Sequence, residues 1–304
     1  MTVFPRENGV VPDKFVRITV SGHISSNELL ILPRQDAATN GDIQDTEPRM
    51  AKFGDLPYLK YSLERTAEML QKRYAKEKAA IIVVRPSRKV DSFSCFDNLL
   101  RPGMGIVHLE KLLHNAGDHV NPDLPICLIA FSKGVLVLNS FLAELSTSIT
   151  PIKSKYILDW QAEDIDSLLP TWEESSRITR QQTPQGRAVM WSSVNLIRDF
   201  FDRVRDIHYV DGHRFPTNPS VTTHSLQHLK EKRINLWLHA TPRQLKSERE
   251  WIRKEFEIFL RECALLLDEK NLFHRLYYED EAPTMEQHFQ VLWSFEKEKE
   301  DKTS

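Results

Sequence analysis

The chain has 304 residues, 40% of them hydrophobic and 28% charged, and its 41 Lys and Arg against 43 Asp and Glu leave a net charge of −2. That length fits one large domain or two ordinary ones, the apolar content suffices for a packed core, and the balanced charge gives no positive field to attract nucleic acid or acidic lipid. Cys95, Cys127 and Cys263 are odd in number and lack ligand spacing, against both a disulfide framework and a zinc site, and no apolar run approaches the roughly 18 residues of a membrane span.

Met1 to Val20 is broken by Pro5, Glu7, Pro12 and Asp13, so no signal peptide is expected there, while Arg6, Lys14 and Arg17 leave room for a short import signal. Apolar, β-branched runs then predict strands over Phe15 to Val20, Glu28 to Leu32, Ala79 to Val84, Pro125 to Ala130, Tyr156 to Leu158, Ile207 to Val210, Ile234 to Leu238 and Leu272 to Tyr278. Helical spacing fills most of the intervals: Leu59, Leu63, Leu70 and Tyr74; Ile106, Leu109, Leu112 and Leu113; and Leu245, Ile252, Phe256, Phe259, Leu260 and Cys263. Strands that are apolar throughout, such as Ala80 to Val84, belong in a sheet covered on both faces. Alternation with helices predicts an α/β fold with a mostly parallel sheet flanked by helices on both sides. The polar, acid-rich stretch at about 159–187 reads as a surface insertion or a lid, and the charged tail 296–304 as frayed.

The chemistry concentrates after the run Pro125 to Phe131. There Ser132 stands between Ala130 and Gly134 and is followed at once by the helix-forming Val135 to Leu145. A serine between two small residues, where a buried strand turns sharply into a helix, is the pattern of a nucleophile elbow. The small residues are needed because backbones approach closely at that turn, and the helix N-terminus beside it can stabilise an oxyanion, with the Lys133 backbone N–H as one donor. An N-cap serine is the plainer reading of the same residue.

Such a serine needs a histidine and an acid, which in the α/β-hydrolase arrangement follow in the chain order Ser, Asp or Glu, His. Asp211, at the end of Ile207 to Val210 and before Gly212, is the favoured acid; Asp280 and Glu281 are its rivals. His288, beyond the last strand, is the favoured base, and His239 its rival. The pairs His208 with His213 and His224 with His228 have no HExxH pattern around them, and the second reads as a solvated helix face rather than a metal site. No GxxxxGK[ST] or GxGxxG occurs, so neither a nucleotide cofactor nor any other is expected.

Several segments together resemble the chromosome-two open-reading-frame family of mitochondrial α/β-hydrolase-like proteins. They are Tyr61 to Glu64, Phe93 to Asn98, Phe131 to Gly134 with Val137 to Asn139, Val210 to His213, His239 to Gln244, and Ala282 to Thr284 with Gln287 to Phe289. The resemblance implies one α/β-hydrolase-like domain over 1–304 and a mitochondrial setting, with a cytoplasmic one as the alternative. It also implies Ser132, Asp211 and His288 at the positions of a triad. Two features depart from the family pattern. Ala130 stands where the family has glycine, and Gly41 to Gln44 follows its strand only after Pro33 to Asn40, so the second oxyanion donor is expected somewhere within Pro33 to Gln44.

Two functions follow as expectations. One is a serine hydrolase acting on a small ester or acyl thioester. The other is a catalytically silent relative that uses the same scaffold to bind a protein partner. Nucleic acid is expected to be neither substrate nor partner.

Overall fold

The computed structural model describes residues 2–5, 16–32, 61–77, 79–90, 93–101, 103–149, 184–216 and 219–294. Within them the chain builds a central sheet of eight strands with helices on both faces. The strands are β1 (Thr2–Pro5), β2 (Val16–Ser21), β3 (Ser26–Leu32), β4 (Ala79–Val84), β7 (Ile126–Phe131), β8 (Val204–Val210), β9 (Asn235–Ala240) and β10 (Leu272–Leu276), in the spatial order β10-β9-β8-β7-β1-β4-β3-β2. A separate hairpin pairs β5 (Arg88–Val90) with β6 (Phe93–Cys95).

The four strands β7 to β10 are parallel, and every other pairing is antiparallel. The expectation of a mostly parallel sheet is therefore corrected to a sheet parallel in one half only. The reason is connection length. Between β2 and β3 lie four residues, Gly22 to Ser25, closed by a Gly22 N–H to Ser25 carbonyl bond of 2.7 Å; a parallel neighbour would need a crossover of a dozen residues or more. The strands β7 to β10 are instead separated by α3 (Gly134–Ile149), α4 (Pro184–Arg203), α5 (Pro219–Glu231), α6 (Pro242–Leu245) and α7 (Glu250–Leu266), which supply such crossovers. α1 (Leu63–Arg73) and α2 (Gly105–Asn115) precede them, and α8 (Met285–Ser294) follows β10.

The two-residue alternation of β7 sorts the core. Ile126, Leu128 and Ala130 join a cluster with Leu109, Leu138, Phe200, Leu226 and Phe259 from α2, α3, α4, α5 and α7. Cys127 and Ile129 face the opposite layer, where Ala67 and Leu70 of α1 meet Val291 and Leu292 of α8. Each such buried aliphatic side chain stabilises the fold by roughly 1.5–3 kcal/mol. A strand apolar on both sides is thus explained by two layers of helix.

Some expectations fall outside the described residues: the strand Tyr156 to Leu158, the possible lid at 159–183, the segment Pro33 to Gln44 and the tail 296–304. The last four residues of the expected insertion, Pro184 to Arg187, form the first turn of α4 instead, with proline at a position where its missing N–H costs nothing. His228 on α5 is buried and His224 half-buried, so the expected solvated histidine face is corrected: α5 packs this side of its surface against the protein. Among the described residues no helix is long and apolar enough to cross a membrane.

Candidate active site

In the parallel half the chain leaves β7, β8 and β9 at one edge of the sheet, where open α/β sheets hold their ligands. The residues just past the strand ends are Ser132, Asp211 and Thr241. The ladder continues one step beyond β7, β8 and β10: Ser132 N–H donates to the Val210 carbonyl at 3.0 Å, Asp211 N–H to that of His239 at 2.8 Å, and Tyr277 N–H to that of Ala240 at 2.9 Å.

Ser132 has φ 53°, left-handed backbone that disfavours a side chain and that only a constrained turn retains. Its carbonyl accepts from Val135 N–H at 3.1 Å as α3 begins. A Cβ on Gly134 would stand 3.7 Å from that of Ala130, which is ordinary contact. Alanine in place of the expected first glycine therefore fits this turn. The tight approach lies elsewhere: a Cβ on Gly212 would stand 2.2 Å from Val135 Cγ2 and 3.0 Å from the Ser132 carbonyl. Gly212 is thus required by space, so that the β8 loop can pass against the elbow, while the left-handed turn itself is taken by Asp211 at φ 43°.

The three favoured residues meet. His288 Nε2 lies 3.0 Å from Ser132 Oγ and its Nδ1 lies 2.5 Å from Asp211 Oδ2. With the carboxylate on Nδ1, that nitrogen carries the proton and Nε2 is left to accept from the serine hydroxyl. Asp211 Oδ1 accepts from Thr241 N–H at 3.0 Å and from Thr241 Oγ at 2.8 Å, which fixes the carboxylate from the neighbouring strand. His288 and Asp211 are both buried, whereas Ser132 is half-buried at the surface of the site.

α8 delivers the imidazole. Its start is closed by a reciprocal pair: Thr284 N–H donates to Gln287 Oε1 at 3.0 Å and Gln287 N–H to Thr284 Oγ at 3.1 Å, a capping box that anchors the turn carrying His288. The Phe131 ring packs 4.6 Å from the imidazole, and Phe289 stands 5.8 Å from Phe131 and 5.2 Å from Tyr61. An apolar wall therefore runs from the histidine outward to Trp293, which is exposed.

The rivals are elsewhere. His239 Nε2 pairs with His208 Nδ1 at 3.0 Å and its Nδ1 with the Tyr277 hydroxyl at 3.0 Å, and burial holds it well below the ordinary histidine range. It is a neutral core histidine. Glu281 accepts from Gln287 Nε2 at 2.7 Å and Asp280 is exposed on the turn after β10, so neither takes the place of Asp211. His208 stacks on Trp237, and His213 lies edge-on to Trp251, so the first histidine pair is not a joint site. Among the described residues no group of three His, Cys, Asp or Glu is placed to hold a metal ion.

Sequence reasoning missed Thr241 and Arg243. Thr241 carried a signal in principle, a hydroxyl at the end of the strand beside Asp211; Arg243 carried none. Its guanidinium Nη1 lies 3.4 Å from His288 Nδ1.

The C2orf69 family matches this chain over residues 39–124. A protein of Danio rerio, described as mitochondrial protein C2orf69 homolog, is 24% identical over 289 aligned positions, covering 84% of this chain and 71% of that protein. The chain is similar to the C2orf69 family. That is the family whose resemblance its motifs carried. The stretch matched to the family spans α1, β4 and α2 and ends before Ser132, so it contains Tyr61 of the apolar wall but none of Ser132, Asp211 and His288. No solved structure matches the chain.

Proposed function

We propose that this chain is a serine hydrolase of α/β-hydrolase-like architecture, acting in mitochondria on an ester or acyl thioester. The observation that carries the reading is the continuous line from Ser132 Oγ through His288 to Asp211, at 3.0 and 2.5 Å, with the serine on a left-handed turn between strand and helix.

Ser132 Oγ attacks the acyl carbon as its proton passes to His288 Nε2. Asp211 holds the ring tautomer and stabilises the imidazolium. The Lys133 N–H, at the start of α3, is a donor to the oxyanion. His288 then gives its proton to the departing oxygen or sulfur as the carbon–heteroatom bond breaks. A water molecule, deprotonated by the same imidazole, hydrolyses the acyl-serine to a carboxylic acid and restores the hydroxyl. No cofactor is required.

The test is labelling of purified protein by a fluorophosphonate probe. Wild type is expected to react, and Ser132→Ala and His288→Ala to remain unlabelled while retaining the wild-type circular dichroism spectrum. A folded wild type that never reacts, with a substrate screen equally silent, moves the assignment to a binding scaffold. The steric objection from Ala130 lends that second reading no support, because alanine meets Gly134 at ordinary contact distance.

A further inference from the structure

The run His239 to Gln244 takes no part in the reaction above, yet in space it joins the acid to the base. Thr241 follows β9, and α6 is a single turn tied back to it: Gln244 N–H and Leu245 N–H donate to the Thr241 carbonyl at 3.0 and 3.1 Å, and Lys246 N–H to that of Pro242 at 2.7 Å. From this turn three side chains reach the loops that carry the candidate triad. Thr241 bonds the Asp211 carboxylate through both its N–H and its hydroxyl. Gln244 Nε2 donates to the Gly212 carbonyl at 2.5 Å. Lys246 Nζ donates to the carbonyls of Glu279 and, at 3.2 Å, Glu281, on the stretch that leads to His288.

Asp211 needs holding. Its φ of 43° is left-handed, and a non-glycine residue stays there only where its surroundings fix it from several sides. Its N–H is fixed by the His239 carbonyl and its carboxylate by Thr241. Three residues on, Arg214 is anchored through its carbonyl by Asn139 Nδ2 and through its N–H by Glu255 at 2.9 Å. Gln244 fixes the carbonyl between these anchors, on the residue next to Asp211. Gln244 is buried, and its Oε1 meets no hydrogen-bond partner among the described residues. An unsatisfied buried oxygen costs stability, and an apolar side chain of the same length would fill the space without that cost. General stability therefore does not account for a glutamine here; its donating half does. We infer that Gln244 is a positioning residue: by fixing the Gly212 carbonyl it keeps Asp211 in the left-handed turn from which the carboxylate meets His288 Nδ1. For its effect on reaction this rests on the serine-hydrolase reading; for its effect on the Asp211–His288 bond it rests on the distances alone.

The full-length chain tests it as wild type, Gln244→Met, Gln244→Glu and His108→Leu, the last losing buried hydrogen bonds away from the site. Three readouts are followed from pH 5 to pH 8: the rate of fluorophosphonate labelling, thermal unfolding, and the low-field proton resonance of the Asp211–His288 bond, recognised by its loss in His288→Gln. Gln244→Met is expected to stay folded, to label about 10–100-fold more slowly than wild type, as a small displacement of a reacting group does, and to shift or broaden that resonance. His108→Leu is expected to lose melting temperature yet label at the wild-type rate. In Gln244→Glu the ionised carboxylate can only accept and repels the Gly212 carbonyl, whereas the protonated one can donate. Its rate as a fraction of wild type should therefore fall as pH rises, burial placing the change above the ordinary carboxyl range. Asp211, His213, Glu255, His288, Arg243 and Lys246 surround the turn in every variant and cancel in that fraction. The protonated glutamic acid is nearly isosteric with glutamine, so this low-pH comparison decides even if Gln244→Met does not fold. A folded Gln244→Met that labels at the wild-type rate overturns the inference, as does a Gln244→Glu whose fraction is the same at every pH. If wild type labels at no pH, the serine reading fails and the resonance decides alone: unchanged in Gln244→Met it overturns the positioning role, and shifted or lost it upholds that role without the reaction.

Discussion

Two buried histidines, one in each half of the sheet, show what separates a candidate proton shuttle from a strut. His108, packed against the antiparallel half, accepts from Ile24 N–H at its Nδ1 (3.0 Å) and meets Asn27 Oδ1 (2.8 Å) and Asn98 Nδ2 (3.0 Å) at its Nε2. Burial pushes it down to about 4, so it stays neutral and its bonds tie the β2–β3 turn to α2. His288, in the parallel half, is equally buried and equally bonded. The partners differ: a carboxylate on one nitrogen and a hydroxyl on a constrained turn on the other. Burial and hydrogen bonding are common to both; only the second set can shuttle a proton.

Exchanging the roles is the hardest test of that contrast. Ser132→Ala and His288→Gln are expected to lower turnover by roughly 10³-fold or more, and Asp211→Asn by about 10⁴-fold through the wrong tautomer, the first with little change in the urea midpoint. His108→Leu should do the reverse, leaving labelling intact and costing about 1–3 kcal/mol, because the N–H of Ile24 and the amides of Asn27 and Asn98 lose their partner. A His108→Leu protein that is stable but fails to label would erase the distinction.

A smaller effect sharpens it. Ser132→Gly should remove labelling yet raise stability by about 0.5–1 kcal/mol, since glycine takes the φ of 53° without strain; no gain in a denaturant titration would mean the turn is unstrained. Glu144 gives a pH signature from the scaffold. It caps α2 through Gly105 N–H at 2.8 Å and Ile106 N–H at 3.0 Å, and burial pushes its carboxyl up to about 8 in spite of those bonds. The folded state then holds the proton more tightly than the unfolded state, so this group's contribution to stability falls as pH rises from about 4.5 to about 8. Comparing urea midpoints of wild type and Glu144→Gln at pH 5 and pH 8 should show that decline in wild type and a shallower one in the variant. Least of all, Leu265→Ser on the outer face of α7, 72% exposed, should change stability by less than about 0.5 kcal/mol.

The sequence made the parallel half readable because β7 is apolar throughout and the turns beyond its strands carry residues whose chemistry is recognisable without neighbours: Ser132 between small residues, Asp211 before glycine, His288 after the last strand. The antiparallel half was less legible. β1 is four residues long and pairs with strands distant in sequence, so nothing local marks it or its direction. Gly212 was visible as a turn residue, but its purpose, clearance for Val135, exists only once two loops are brought together. The contact of Arg243 is invisible for the same reason, since nothing distinguishes one arginine on a short helix from any other until the imidazole stands beside it.

The bonds that extend the ladder beyond β7, β8 and β10 have a consequence for how the candidate site is lost on unfolding. Because the Ser132 and Asp211 amides are held by the carbonyls of Val210 and His239, their hydrogens exchange with solvent only when the central strands separate. Deuterium uptake at these two positions should then be as slow as in the sheet interior. On heating, labelling should vanish within the main unfolding transition rather than fade before it.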